Sequence, residues 1–233
     1  MQNLPTRRLT GTAGVAGFAI FLAALPLYFA GPQPMGRLEN AIQFADSVRK
    51  SRSLILARAT IADPLIMACL LAFLAGFGHL IRKGNPDFAW AGDLVWGAGV
   101  VVIALELAGD ALAGGAALDT SVKADPTIVR GLWEGSVVFY RAIGLILSAL
   151  LLAAAAYATL ATGLLPRWVG RLALVCAAVN LAAAPSIFGG SNVTSFYSAN
   201  GYVTFLAQGA MLLWFFIASV GLIVANGVTT AAK

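Results

Sequence analysis

The stretch LVWGAGVVVIALELAGD, residues 94–110, decides the fold because it has the composition of a membrane span and still contains two acids. Residues 94–105 carry no charge, Glu106 follows them, and Asp110 lies one helical turn further on. A helix of about twenty apolar residues crosses the hydrocarbon core of a bilayer. A carboxylate at that depth is costly unless it is neutral, paired or hydrated, so Glu106 and Asp110 are functional candidates.

The composition of the whole chain agrees with this stretch. Of its 233 residues, 60% are hydrophobic and 11% are charged, and the mean hydropathy is +0.85. Soluble domains usually contain about 25% charged residues. Most side chains of this chain must therefore face lipid or other helices, which excludes a soluble globular domain.

Hydropathy windows predict six transmembrane segments, and runs of this length suit helices rather than barrel strands. We expect an all-α fold, a polytopic membrane helix bundle that forms a single transmembrane domain over residues 1–233. No internal repeat divides it. The predicted spans are residues 13–30, 64–81, 89–113, 137–164, 168–188 and 202–224.

Two Asp-Pro dipeptides predict the starts of helices. Asp63-Pro64 predicts an N-cap and a first helical residue for the second span, and Asp125-Pro126 repeats the pattern before the fourth. The fourth helix is then expected from Pro126 to about residue 164. Residues 47–62, which mix apolar and basic side chains, are either an interfacial helix or a solvated cationic loop.

The net charge of +5 is spread over the short connections, which is typical of a membrane protein and not of a nucleic-acid-binding face. The compact turns 82–88 and 165–171 carry two positive charges each, whereas the loop 189–201 on the other side carries none. We predict a multi-pass protein of the inner (plasma) membrane with both termini cytoplasmic. Its expected partners are the lipid bilayer and a small lipophilic substrate.

The metal-binding and redox residues are few. Cys69 and Cys176 lie far apart in apolar segments, and His79 is the single histidine. No CxxC or zinc-ligand spacing occurs, so the sequence predicts no metal and no cofactor.

Two motifs carry a resemblance to a known family. The junction LLPRWVG at residues 164–170 separates two late helices, and HLIRK at residues 79–83 closes the second span. Together they resemble the DUF4386-type bacterial integral membrane proteins. The resemblance implies a membrane fold of six or seven helices and no particular chemistry, because that family is functionally uncharacterised. Glu106 and Asp110 are not a feature of the third helix in that family.

Polar residues of several spans fall in the same half of the membrane. Four residues apart, Glu106 and Asp110 share one helical face, and Arg130, Glu134 and Arg141 form a stripe on the fourth span. We predict that Glu106, Asp110 and Arg141 are catalytic. The candidate substrate-binding residues are Glu134, Tyr140, Trp96, Trp133, Asn180, Tyr197 and Tyr202, with Gln208 at a similar depth.

Two acids on one face in a low dielectric should not both be ionised. A neutral acid donates a proton to an alkene, epoxide or carbonyl group, and its ionised neighbour takes one back. This chemistry indicates cyclisation, isomerisation or epoxide opening of a hydrophobic substrate such as an isoprenoid. Two alternatives stay open: a proton-coupled transporter, and a scaffold in which Arg141 simply pairs with one acid.

Overall fold

The computed structural model describes residues 4–30, 40–118, 125–190 and 195–224, and within these ranges all regular structure is helical. The prediction of six membrane spans in an all-α bundle is confirmed by six helical runs that are long and apolar enough to cross a membrane. In chain order, spans one to six are Leu4–Tyr28, Arg52–Gly84, Pro86–Leu118, Pro126–Thr162, Arg167–Gly189 and Tyr202–Val224.

The described ranges contain nine α-helices, and all of them except α2 lie within the spans. They are α1 Leu4–Ala30, α2 Ala41–Lys50, α3 Arg52–Ala57, α4 Asp63–Gly84, α5 Ala89–Leu118, α6 Pro126–Val137, α7 Gly144–Thr162, α8 Arg167–Ala183 and α9 Tyr202–Val224. Two π-helical segments, Arg58–Ala62 and Val138–Ile143, join α3 to α4 and α6 to α7. Short 3₁₀ segments, Pro86–Phe88 and Ala184–Gly189, precede α5 and follow α8.

The lead-in to the second span is helical, so the alternative of a cationic loop over residues 47–62 is wrong. Asn40 caps α2 by accepting a hydrogen bond from the backbone N–H of Ile42. The helix α2 buries Phe44 and Val48 on one side and leaves its basic residues exposed on the other. Such an amphipathic helix suits the edge of a membrane.

The fourth helix begins where it was predicted. Asp125 has an extended backbone, and its carboxylate accepts a hydrogen bond from the N–H of Thr127 at 2.8 Å. Pro126 occupies the first turn, where its missing N–H has no intrahelical partner to lose. The same run continues through the second π-helical segment to Thr162, and Gly163 ends it in the left-handed conformation at φ +65°.

The six spans form a closed ring in chain order. Each span packs against the next one, and the first packs against the last. Small residues allow the closing contact, because a Cβ atom on Gly11 or Gly14 would lie within 2.6 Å of atoms of Ser219 or Ile223. Helix backbones approach this closely where glycine removes the side chain.

The interior of the ring is apolar in the half near Leu4, which we call the N-terminal face. Phe73 and Phe77 are fully buried there, with ring centroids 5.5 Å apart. Trp214 meets Phe77 edge-on at 6.2 Å, and Phe215 meets Phe73 edge-on at 5.4 Å. These aromatic contacts fill the centre of the bundle on this side.

A second, smaller apolar cluster lies near the opposite face. Phe44 and Val48 of α2 pack with Trp133, Val129 and Ala116. The rings of Phe44 and Trp133 are 6.0 Å apart in an edge-on arrangement. Between these two apolar clusters lie the polar residues described next.

Candidate functional site

The structure brings polar side chains from all six spans to one depth between the two apolar clusters. We call this set the polar layer. Its members are Tyr28 from span one, Arg58 and Asp63 from span two, Glu106 and Asp110 from span three, Tyr140 and Arg141 from span four, Asn180 from span five and Gln208 from span six.

Asp63 is a buried member of this layer, so its predicted role as an N-cap is wrong. Its backbone is helical at φ −64° and ψ −45°, whereas an N-cap residue such as Asp125 is extended. Its carboxylate accepts a hydrogen bond from the Tyr28 hydroxyl and lies 3.4 Å from Nε of Arg58. Only 7% of Asp63 is exposed.

The π-helical segment Arg58–Ala62 explains why the helix continues past a proline. Pro64 lacks an N–H, and in a regular α-helix its ring would clash with the carbonyl of Thr60. The wider π turn, in which the N–H of Asp63 donates to the carbonyl of Arg58, gives this part of the backbone another set of partners. It also places the guanidinium of Arg58 beside Asp63 and 5.6 Å from the centre of the Tyr28 ring.

Asp110 forms the next link in the layer. Tyr140 donates a hydrogen bond from its hydroxyl to Oδ1 of Asp110 at 2.6 Å. Asp110 is 3% exposed, and the carboxyl group of Asp63 is one of its close electrostatic neighbours. The two tyrosine–aspartate hydrogen bonds, Tyr28 to Asp63 and Tyr140 to Asp110, thus involve four spans.

Gly109 makes room for this arrangement. A Cβ atom at Gly109 would lie 2.6 Å from Cε1 of the Tyr140 ring, well inside van der Waals contact. The absence of a side chain therefore lets the tyrosine ring approach the backbone of the third span and its hydroxyl reach Asp110, one residue further on.

The second π-helical segment, Val138–Ile143, contains Tyr140 and Arg141. Nη1 of Arg141 donates a hydrogen bond to Oε1 of Gln208, and Nε2 of Gln208 lies 3.5 Å from the carbonyl oxygen of Tyr140. Asn180 is fully buried beside them and donates to the carbonyls of Cys176 and Ala207 at 2.9 and 3.0 Å. The π-helical segment thus connects span four to span six through Gln208, and Asn180 connects span five to span six through the carbonyl of Ala207.

Glu106 differs from the other two acids of the layer. Its Oε1 lies 3.5 Å from where a Cβ atom on Gly144 would be, and Arg141 is its strongest electrostatic neighbour. Among the described residues, however, no ion pair within 4.0 Å joins Arg141 to Glu106 or Asp110. The close pairing expected of a purely structural Arg141 is therefore not found.

Several predicted site residues lie outside the polar layer. Glu134 pairs with Arg130 at 2.7 Å on the exposed side of the fourth span, because the π turn separates their stripe from Arg141. Trp96 packs against the apolar core, and Trp133 packs under α2.

The two tyrosines near the opposite face are exposed. Tyr197 donates a hydrogen bond to the carbonyl of Ala182 at 2.8 Å and is 44% exposed. Tyr202 is 64% exposed at the start of α9. Neither side chain has a contact with the acids among those described, so their assignment to substrate binding stays a prediction.

Sequence reasoning missed Tyr28, Arg58 and Asp63. The available signal was the absence of any helix breaker between Arg52 and Asp63, which makes Asp63 an internal helix residue and not the first one. An Arg five residues before an Asp was not recognised as a pair, because i,i+5 residues meet only across a π turn.

The fold and composition define the class of protein as a multi-pass integral membrane protein. Comparison of the chain with protein-family models, with curated proteins and with solved structures finds no match. In the described part of the chain, no group of three His, Cys, Asp or Glu residues is arranged to hold a metal ion. The function must therefore be argued from the polar layer.

Proposed function

We propose that this chain is a membrane-embedded enzyme that performs acid–base chemistry on a small hydrophobic substrate. The observation that carries the proposal is the polar layer itself, in which three carboxyl groups from two spans lie between two apolar clusters. Charged side chains at this depth cost free energy, and helix packing alone would not require five of them in one layer.

Asp110 is the proposed general acid. In this proposal Asp110 holds the proton, because two nearby carboxyl groups are not both ionised in a low dielectric, and Tyr140 fixes the orientation of Asp110. Glu106, one turn away on the same helix, is the proposed base. Arg141, held by Gln208, supplies a positive charge near Glu106 without an ion pair to it within 4.0 Å among the described residues.

The reaction that fits these groups is an isomerisation through a cation. The Asp110 proton goes to an epoxide oxygen, the C–O bond breaks, and an alkene of the same molecule attacks the resulting carbocation. Glu106 removes a proton from the carbon next to the new cation, which forms a double bond. A proton then passes from Glu106 to Asp110, which returns both groups to their starting protonation states. No other reactant is consumed.

A proton-coupled transporter is the second candidate. The two π-helical segments interrupt spans two and four beside the acids, and interrupted helices are common at transport sites. Against this reading, the centre of the bundle toward the N-terminal face is filled by Phe73, Phe77 and Trp214. A path between the two faces would have to displace these rings, so the enzyme is favoured.

The plasma membrane, with the N-terminal face toward the cytoplasm, is the proposed location. The basic turns after spans two and four lie on that face, in agreement with the positive-inside tendency. The DUF4386-type resemblance likewise remains a proposal, supported by its two motifs and the number of spans.

The test uses the purified full-length chain in proteoliposomes with a linear isoprenoid epoxide as the probe, and products are identified by mass spectrometry. We expect a cyclised isomer from the wild type. Asp110→Asn should lower its rate by roughly 10²–10⁴-fold, because a positioned general acid contributes that much. Glu134→Gln is the matched control, since this carboxylate is exposed and outside the layer.

The outcomes separate the candidate functions. Unchanged turnover in Asp110→Asn overturns the enzyme. Proton flux into the same vesicles that requires Asp110, without any conversion of the epoxide, would instead establish the transporter. If the folded wild type shows neither conversion nor flux, the scaffold remains.

A further inference from the structure

The described residues of the N-terminal face carry an excess of positive charge. Six cations lie there against two acids, Asp87 and Asp93, and Asp93 is already paired with Arg82 at 2.6 Å. The described residues of the opposite face include four cations and three acids, which nearly balance. The N-terminal face therefore lacks anions of its own. Its six cations are Arg7, Arg8, Arg82, Lys83, Arg167 and Arg171.

Two of these cations form a pair of like charges on span five. Arg167 and Arg171 lie four residues apart at the start of α8, so they share one side of the helix. Both are exposed, and among the described residues no ion pair within 4.0 Å is found for either. Like charges at this spacing repel each other, and a cation in the first turn also opposes the helix dipole. An anion outside the helix would relieve both effects.

An exposed apolar stripe continues from the two arginines along the same side of α8. Leu174, Val175 and Leu181 are 46%, 59% and 58% exposed, whereas the buried residues of this helix lie on its other side. From Leu174 to Leu181 the stripe runs about 10 Å along the helix axis. A charged surface and a hydrocarbon-like surface are thus continuous on one side of one helix.

Exposed aromatic side chains indicate the depth of this surface in the membrane. Trp168 lies beside Arg167 and is 57% exposed, and Trp90 and Tyr157 on spans three and four are 54% and 46% exposed near the same face. Tryptophan and tyrosine are enriched where a membrane meets water. The two arginines therefore lie at the level of lipid headgroups, and the apolar stripe lies at the level of the acyl chains.

From this arrangement we infer that the exposed side of α8 binds an anionic phospholipid, with its headgroup at Arg167 and Arg171 and an acyl chain along the apolar stripe. A soluble anion would meet the arginines and leave the stripe unused. A zwitterionic lipid would cover the stripe without balancing the two charges. The inference does not depend on the proposed function, because this surface lies outside the polar layer.

The test measures lipid binding and requires no turnover. The full-length protein in an uncharged detergent is titrated with dioleoyl phosphatidylglycerol, and binding is followed by thermal unfolding and native mass spectrometry. Dioleoyl phosphatidylcholine has the same acyl chains with a zwitterionic headgroup, and inorganic phosphate has the anionic group without a chain. We expect saturable stabilisation by phosphatidylglycerol, weaker stabilisation by phosphatidylcholine and none by phosphate.

Variants identify the headgroup contacts. Arg167→Gln with Arg171→Gln should weaken phosphatidylglycerol binding on the order of tenfold or more, because each cation near an anionic lipid surface contributes about fivefold. Arg167→Lys with Arg171→Lys retains both charges and should retain most of the affinity. Lys50→Gln with Arg52→Gln is the matched control, since it removes two exposed cations from the opposite face and should leave the affinity unchanged.

Several results would overturn the inference. They are equal stabilisation by the two lipids, undiminished phosphatidylglycerol binding in the double Gln variant of Arg167 and Arg171, and an equal loss in the control variant. Stabilisation by inorganic phosphate or by soluble polyglutamate in place of the lipid would assign the surface to a soluble anion or to an acidic protein.

The wild type provides a further check that needs no variant. Added salt should reduce the preference for phosphatidylglycerol over phosphatidylcholine, because screening weakens interactions between exposed charges. A preference that salt does not change would contradict the role of the two arginines.

Discussion

The two Asp-Pro steps of this chain have the same sequence and opposite environments. Asp125 is extended and caps the helix that begins at Pro126. Asp63 lies within a helical run that started at Arg52, and its carboxylate meets Arg58 and Tyr28. The dipeptide permits both outcomes, because proline is tolerated in a first turn and also where a π turn frees the preceding carbonyl. The backbone of the aspartate distinguishes the two dipeptides, because it is helical at Asp63 and extended at Asp125.

The largest loss of stability is expected on removing the side chain of Asp63, the buried one of the two aspartates. Asp63→Ala should lower the stability of the detergent-solubilised protein by about 3–5 kcal/mol, because the Arg58 guanidinium stays buried without its counter-ion. Thermal unfolding followed by light scattering measures the loss. Asp63→Asn with Arg58→Met should recover part of it. A loss of only about 1 kcal/mol in Asp63→Ala would be that of an N-cap, and wild-type stability would contradict the buried pairing of Asp63 with Arg58.

A smaller effect is expected where the third span meets Tyr140 of the second π-helical segment. Gly109→Ala should cost about 1–3 kcal/mol, since its Cβ atom would collide with the Tyr140 ring and displace its hydroxyl from Asp110. Gly97→Ala is the control on the same helix, because nothing lies within 4 Å of its Cβ position. Equal unfolding temperatures of the two variants would contradict the close approach of Tyr140 to Gly109.

Removing the side chain of Asp125, the capping aspartate, should lower the free energy of unfolding less than removing that of Asp63. Asp125→Ala removes the hydrogen bond to the Thr127 N–H and is expected to cost about 1 kcal/mol, which is typical of an N-cap. Asp125→Ser retains an acceptor at the cap and should restore most of the stability. Chemical unfolding of the three proteins side by side gives the comparison, and a loss in Asp125→Ala as large as that of Asp63→Ala would remove the contrast between the two steps.

The smallest effect concerns the ion pair on the surface. Arg130 and Glu134 are 2.7 Å apart, a shorter contact than the 3.4 Å between Arg58 and Asp63. Glu134→Gln should nevertheless change stability by less than about 0.5 kcal/mol, because both side chains are exposed. A shift above 1 kcal/mol in the same unfolding measurement would contradict the exposure of the Arg130–Glu134 pair.

Much of the fold follows from the sequence because hydropathy and helix ends are local properties. The six spans, the cap at Asp125 and the helix end before Pro166 are all encoded within a few neighbouring residues. Part of the site was also predictable, since Glu106, Asp110 and Arg141 are charged residues in apolar runs. Their common depth follows from the direction in which each span crosses the membrane.

The sequence by itself determined that the chain is a helical membrane protein and that Glu106 and Asp110 lie on one face of the third span. Only the tertiary structure decided the partners of those acids. The two π turns rotate Arg58, Tyr140 and Arg141 away from the faces that a regular helix of 3.6 residues per turn assigns to them. Closure of the ring then brings Tyr28 and Gln208, at opposite ends of the chain, to the same layer. Neither effect has a local signal, because both depend on how distant helices pack.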